Sequence, residues 1–137
     1  MDTSAALAFI HRTNPFHAWV DGAVRGRRLG LAGHAYVEIY SVLTRLPSSA
    51  RLSPDDAVRL ITSQFHASRF LTADHHAAML DEWRDLGICG GSVYDALVAA
   101  CARAHALPLV TCDLRARPTY RLLGVTVLAP PADLRMP

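Results

Sequence analysis

The chain has 137 residues, 51% of them hydrophobic and 19% charged, which suits one folded domain, 1–137, with a single core and excludes a disordered polymer. A formal net charge of +2 is too small to imply nucleic-acid binding on its own, and no apolar run reaches the ~18 residues that a bilayer span needs. No basic, apolar, small-residue leader opens the chain, so a cytoplasmic protein without membrane association is expected. All 14 basic residues are Arg, which rules out chemistry that requires a Lys. Cys89, Cys101 and Cys112 show no zinc spacing; free thiols, buried at Cys101 and Cys112, are expected in a reducing compartment.

Residues 4–11 read as a helix. Asn14-Pro15 starts a second, with Phe16, Trp19, Val20 and Val24 on one face. Leu29–Ala32 is a short strand. A helix follows from about His34 to Leu46, with Ala35, Ile39, Val42 and Leu46 as its apolar stripe and His34, Glu38, Ser41 and Arg45 as its polar one. Ser53-Pro54-Asp55-Asp56 is a helix start with a Ser cap, Pro at the first position and acids in the first turn. Arg69–Thr72 is a strand candidate and Asp74–Leu86 a helix. Gly90-Gly91 breaks the chain before an apolar helix from Val93 to His105. Leu107–Cys112 is a strand, Leu114–Leu123 a helix irregular at Pro118, and Val125–Leu128 the last strand. Short apolar strands alternating with helices suit a parallel sheet covered on both faces, so the fold class is α/β, a three-layer α/β/α sandwich with a short, mostly parallel sheet.

Four of the 12 acidic residues sit where an apolar element meets a turn or on a helix's polar stripe. Asp2 heads Asp2-Thr3-Ser4, which by itself is only a terminal cap. Glu38 suits a solvated face as well as a site. Asp95 follows Ser92 in Ser-Val-Tyr-Asp, a capping-box pattern with Asp in place of Glu. Asp113 closes the strand Leu109-Val110-Thr111-Cys112, where ligands collect in open parallel sheets, and also fits a helix cap. Thr111 lies two residues earlier, on the same sheet face, with a hydroxyl able to orient Asp113. Four carboxylates at one site repel unless a hard cation lies between them, which points to Mg²⁺ or Mn²⁺. His75-His76 are neighbours about 100° apart on a helix and cannot chelate as i,i+4 pairs do; solvent-facing rings are expected. His34, one turn before Glu38, is read as non-catalytic.

Taken together, Asp-Thr-Ser before an apolar helix, the helical Glu38, Asp95-Ala96-Leu97-Val98-Ala99-Ala100 and Leu109-Val110-Thr111-Cys112-Asp113 resemble the PIN-domain family, and within it the VapC toxins of bacterial toxin–antitoxin pairs. The match runs from residue 2 to about 128 and includes the ending Leu123-Gly124-Val125-Thr126-Val127. It implies a Mg²⁺- or Mn²⁺-dependent endoribonuclease. Asp2, Glu38, Asp95 and Asp113 would be its catalytic and metal-binding acids, with Asp2 and Asp95 as the foremost ligands. Thr3 and Thr111 would support them, and Arg115 and Arg117 would contact RNA. It also implies a VapB-type antitoxin and a homodimer. Phe65, Phe70, Met79 and Trp83 are candidates for partner contacts, with core burial the plainer fate of each. The alternative is a catalytically weak PIN domain that acts as a regulatory partner of an antitoxin on operator DNA. Family members carry a short apolar strand ahead of the first Asp, whereas only Met1 precedes it here. Either the native start lies upstream or the central strand is crippled; an upstream start is expected, and the intact mass of the natively expressed protein checks it. Receiver domains and haloacid-dehalogenase-type phosphatases need a Lys that this chain lacks, and no P-loop or dinucleotide fingerprint is present.

Overall fold

A computed structural model describes residues 1–134. The described elements are α1 (Thr3–Ile10), α2 (His17–Val24), α3 (Ala35–Arg45), α4 (Pro54–Gln64), α5 (Ala73–Leu86), α6 (Ser92–Ala104), β1 (Leu109–Val110), α7 (Arg117–Leu122) and β2 (Val127–Leu128). α1 packs on α2 and α3, α3 on α4, and α6 on α7. Among the described residues no helix is long and apolar enough to cross a membrane.

β1 and β2 pair in parallel, Leu109 with Val127 and Val110 with Leu128. The hydrogen-bonded sheet is wider than these two strands. The Met1 ammonium donates to the Gly30 carbonyl at 2.8 Å, Ala32 N–H donates to Met1 O at 3.1 Å, and Asp2 N–H donates to Val110 O at 3.1 Å. Met1 and Asp2 thus join the segment around Gly30–Ala32 to β1. Beyond that segment, Ala67 N–H donates to Leu29 O and Arg69 N–H to Leu31 O. The order across the sheet is 67–69, 29–33, 1–2, β1, β2. Gly30 and His66 pair antiparallel while Ala32 and Arg69 pair parallel. The architecture is α/β with a short, mostly parallel sheet.

Several local expectations change. The strands placed at Leu29–Ala32 and Arg69–Thr72 are reduced to isolated bridges, the second beginning earlier, at His66. Thr72 instead caps α5: its hydroxyl accepts from His75 N–H while the His75 ring accepts from Thr72 N–H. A local side-chain bond has outcompeted the ladder. His75 and His76 are exposed. Pro118 stands in the first turn of α7 rather than disrupting a longer helix, because the missing N–H costs nothing there. In α3 the buried stripe is Ala35, Ile39 and Leu43, with Val42 and Leu46 half-buried. A one-residue drift between the 3.6-residue turn and a four-residue spacing brings Leu43 inward. Ser53 caps α4 as expected, accepting from Asp56 N–H at 3.1 Å.

Leu31, Ile39, Leu43, Phe65, Leu109, Tyr120 and Leu123 are the large side chains of the core. Met79 and Trp83 are buried with them, so of the four candidate partner residues only Phe70 is exposed. Cys101 is buried, Cys112 half-buried and Cys89 exposed, all as free thiols. Behind Met1 a cleft of about 430 Å³ opens between Leu29–Leu31 and Leu107–Val110. The Met1 ammonium is held below its usual pKa by burial, which outweighs the opposing pull of Asp2 and Cys101.

Candidate active site

The four acids come from distant parts of the chain and meet through helix starts. Asp2 is the N-cap of α1, Glu38 lies in the first turn of α3, and Asp95 lies in the first turn of α6. Each is at the positive end of a helix, where backbone N–H groups favour an anion. Asp113 follows β1 at the carboxyl end of the strand, next to the β1–Asp2 bond.

Asp2 is the most constrained. It is 4% exposed, not the frayed terminal cap its motif alone suggests. Its Oδ1 accepts from Ala5 N–H at 2.9 Å and from the Ser4 hydroxyl at 2.8 Å. Its Oδ2 accepts from the Tyr120 hydroxyl at 3.0 Å. Burial raises its pKa, against the lowering effect of Thr111, Ala5, Ser4 and Tyr120. The Tyr120 phenol is in turn pushed strongly upward by burial and by the charges of Asp2 and Asp95, so it stays a donor. Ser4 also accepts from Cys112 N–H at 2.8 Å, tying the start of α1 to the loop that carries Asp113.

Asp95 is half-buried, and its pKa is raised by burial and then by the charges of Asp113, Asp2 and Glu38, with Arg115 opposing. The other three carboxylates therefore all act on Asp95. The capping box expected at Ser92 does not form. Gly91 precedes α6 with no side-chain cap, and the Ser92 hydroxyl donates to Cys89 O at 2.7 Å. The chain turns into the helix one residue earlier than the pattern implies, which leaves Asp95 free of a capping role.

Glu38 Oε2 accepts a short hydrogen bond from the Thr3 hydroxyl, which links the first turn of α1 to that of α3. Thr111 does not bond the Asp113 carboxylate. Its hydroxyl accepts from Asp113 N–H at 3.0 Å and also lowers the pKa of Asp2, placing it between the two acids. Asp113 does not cap α7. Its Oδ1 accepts from Arg115 N–H at 2.8 Å, and its carboxylate pairs with the Arg115 guanidinium at 3.2 Å. Burial pushes its pKa up, but the side-chain and backbone bonds from Arg115 together with its charge hold it below the ordinary value. Arg117 is half-buried, and its Nε has no hydrogen-bond partner among the described residues.

Every donor in this set is a carboxylate oxygen, the chemistry of Mg²⁺ or Mn²⁺ rather than of a thiophilic metal. Among the described residues no three His, Cys, Asp or Glu side chains lie close enough to chelate an ion directly. Mg²⁺ keeps several of its waters and takes only one or two carboxylates, so acids gathered around Asp95 without forming a closed cage fit such an ion.

The PIN domain model matches residues 1–122. Ribonuclease VapC27 of Mycobacterium tuberculosis is 45% identical over 131 residues, covering 93% of this chain and 93% of that protein. The chain is a VapC-type member of the PIN-domain family. Ribonuclease VapC40 of the same organism is 40% identical over 133 residues, covering 92% of this chain and 94% of that protein. No solved structure matches significantly. Of the acids singled out in the sequence, Asp2, Glu38 and Asp113 lie near enough to Asp95 for their charges to act on it. Ser4 and Tyr120, which hold Asp2, were not identified from sequence. Ser4 stood next to the Asp2-Thr3 pair, while nothing local marked Tyr120, 118 residues from its partner.

Proposed function

We propose that this protein is a Mg²⁺- or Mn²⁺-dependent endoribonuclease, the toxin of a VapBC-type pair, working as one PIN-like domain over 1–137. The observation that carries the reading is the convergence of Asp2, Glu38, Asp95 and Asp113 from three helix starts and a strand end, with Asp95 under the field of the other three. The relatives named ribonuclease over nearly the whole chain support the same chemistry.

Asp2 and Asp95 would hold the ion, with Glu38 and Asp113 bound through water or directly. When bound, such an ion would supply charge neutralisation at the phosphate and a water acidic enough to lose a proton and serve as the hydroxide nucleophile. The protein's own residues do the rest. Tyr120 and Ser4 fix the direction of the Asp2 carboxylate, and Thr3 fixes Glu38. Arg115 is almost fully exposed apart from its Asp113 contact, so it can exchange that carboxylate for an RNA phosphate, which a guanidinium binds through the same fork. Arg117 follows two residues later; its Nε is buried and without a hydrogen-bond partner among the described residues, so a contact with RNA would fall to the outer nitrogens of its guanidinium. A VapB-type antitoxin would cover this groove, and a homodimer is the proposed assembly.

Cleavage of structured and unstructured RNA, titrated with Mg²⁺ and Mn²⁺, tests the reading. The intact chain should cut, and Asp95→Asn should lose at least about a hundredfold in rate, the scale at which positioned charge acts in such sites. RNA 5′ ends mapped after brief induction should disappear in the variant. Failure to cleave with either ion would leave the rival role, an antitoxin's regulatory partner on operator DNA.

A further inference from the structure

An aromatic pair stands at the rim of the acid cluster, and the proposed chemistry makes no use of it. His34 and Tyr94 are stacked, with ring centroids 5.1 Å apart and planes 27° from parallel. His34 precedes α3, one turn before Glu38, and Tyr94 is the residue immediately before Asp95. Two helix starts therefore each bring one carboxylate and one ring to the same place, and the rings touch. Tyr94 is 57% exposed. A ring whose purpose was to fasten α3 to α6 would lie mostly buried, as Tyr36 of α3 is in part against the core and Phe70. Tyr94 instead keeps most of its surface in solvent while His34 backs it.

We infer that Tyr94, braced by His34, is a base-stacking platform that seats an unpaired nucleobase of single-stranded RNA next to the scissile phosphate. This rests on the ribonuclease reading and adds to it a residue that positions the substrate. An aromatic face accepts any base, but only one that has left a duplex stack. A base is one sugar away from its own phosphate. Tyr94 stacks on His34, which lies one turn before Glu38 at the start of α3, so a nucleotide with its base on Tyr94 would direct its phosphate toward the acids. Arg115, which acts on Asp95 electrostatically, would meet the neighbouring phosphate.

Two readouts on the full chain test this. The first is steady-state cleavage of a single-stranded RNA and of the same sequence held in a duplex. Tyr94→Ala should raise KM on the single strand about five- to a hundredfold, the range that loss of one base–aromatic stack produces, with kcat changed far less. Tyr94→Phe should stay close to the intact chain, whereas Tyr94→Leu, which keeps apolar bulk without a flat face, should behave like Ala. The second readout does not need cleavage: fluorescence quenching of 2-aminopurine placed at successive positions of the same RNA. One position should be quenched by the intact chain and by Tyr94→Phe but not by Tyr94→Leu. Equal KM and equal quenching for Leu and Phe would overturn the platform, as would equal affinity for duplex and single strand. If the intact chain cuts nothing yet quenches one position in a Tyr94-dependent way, the platform stands and the nuclease reading falls.

Discussion

Tyr120 illustrates how much of the site depends on single donors. Its hydroxyl donates to Asp2 Oδ2 at 3.0 Å in a buried setting, where an acceptor that loses its partner costs about 1–3 kcal/mol. Tyr120→Phe keeps the ring in the core and removes only that bond. The variant should unfold at a lower urea midpoint, by the equivalent of about 1–2 kcal/mol. It should also need more divalent ion for half-maximal cleavage, because the Asp2 carboxylate would lose one of the groups that lower its pKa. An unchanged ion requirement together with lowered stability would make Tyr120 a core residue alone. Thr3 stands in the same relation to Glu38, and its motif neighbour Asp2 made it visible in the sequence. Tyr120 was not visible, because a bond between residues 2 and 120 leaves no trace in spacing or periodicity.

At the scale of elements, the helices were the legible part. Apolar spacing and caps are local, so α1, α3, α4, α5 and α6 lie within a residue or two of where those signals put them. The strands around Gly30 and Arg69 were less legible, since their pairing is set by what lies beside them. Gly30 shows the constraint. A Cβ there would sit 2.2 Å from the Ala67 carbonyl oxygen, inside the closest approach two such atoms tolerate, and backbone cannot swing aside as a side chain can. Gly30→Ala should therefore force the 29–33 and 67–69 segments apart. A loss of about 3 kcal/mol or more is expected from chemical denaturation, at the upper end for overpacking. Amide exchange should accelerate at Ala67 and Arg69, which donate across that junction. Gly22, with open space around its added Cβ, is the control whose Ala variant should not lose stability.

For the molecule as a whole, the N-terminus of a chain expressed from Met1 carries structural weight. Met1 lies between two sheet segments with its ammonium buried beside the 430 Å³ cleft. Burial lowers the pKa of that amine from 8.0, so between the folded value and 8.0 the unfolded chain binds more protons. Stability should then rise as pH climbs through that window, and the penalty should be fully present below the folded value. Acetylating Met1 removes the charge, keeps an N–H for the Gly30 carbonyl and adds apolar volume on the side of the cleft. The acetylated protein should be the more stable at pH 6, with the difference shrinking by pH 8.5, when both are followed by thermal melting. A pH-independent difference would assign the gain to packing alone.

The amino-acid sequence on its own determined the α/β class, most helix bounds, the absence of Lys chemistry and which acids to watch. Those properties are written in residue type and short-range spacing. Only the tertiary structure decided that Ser92 leaves Asp95 uncapped, that Arg115 rests on Asp113, that Tyr120 and Ser4 hold Asp2, and that Tyr94 stacks on His34. Each depends on contacts between chain-distant groups or on the exact turn at which a helix begins. Burial and the summed field of neighbouring charges exist only once the chain has closed on itself.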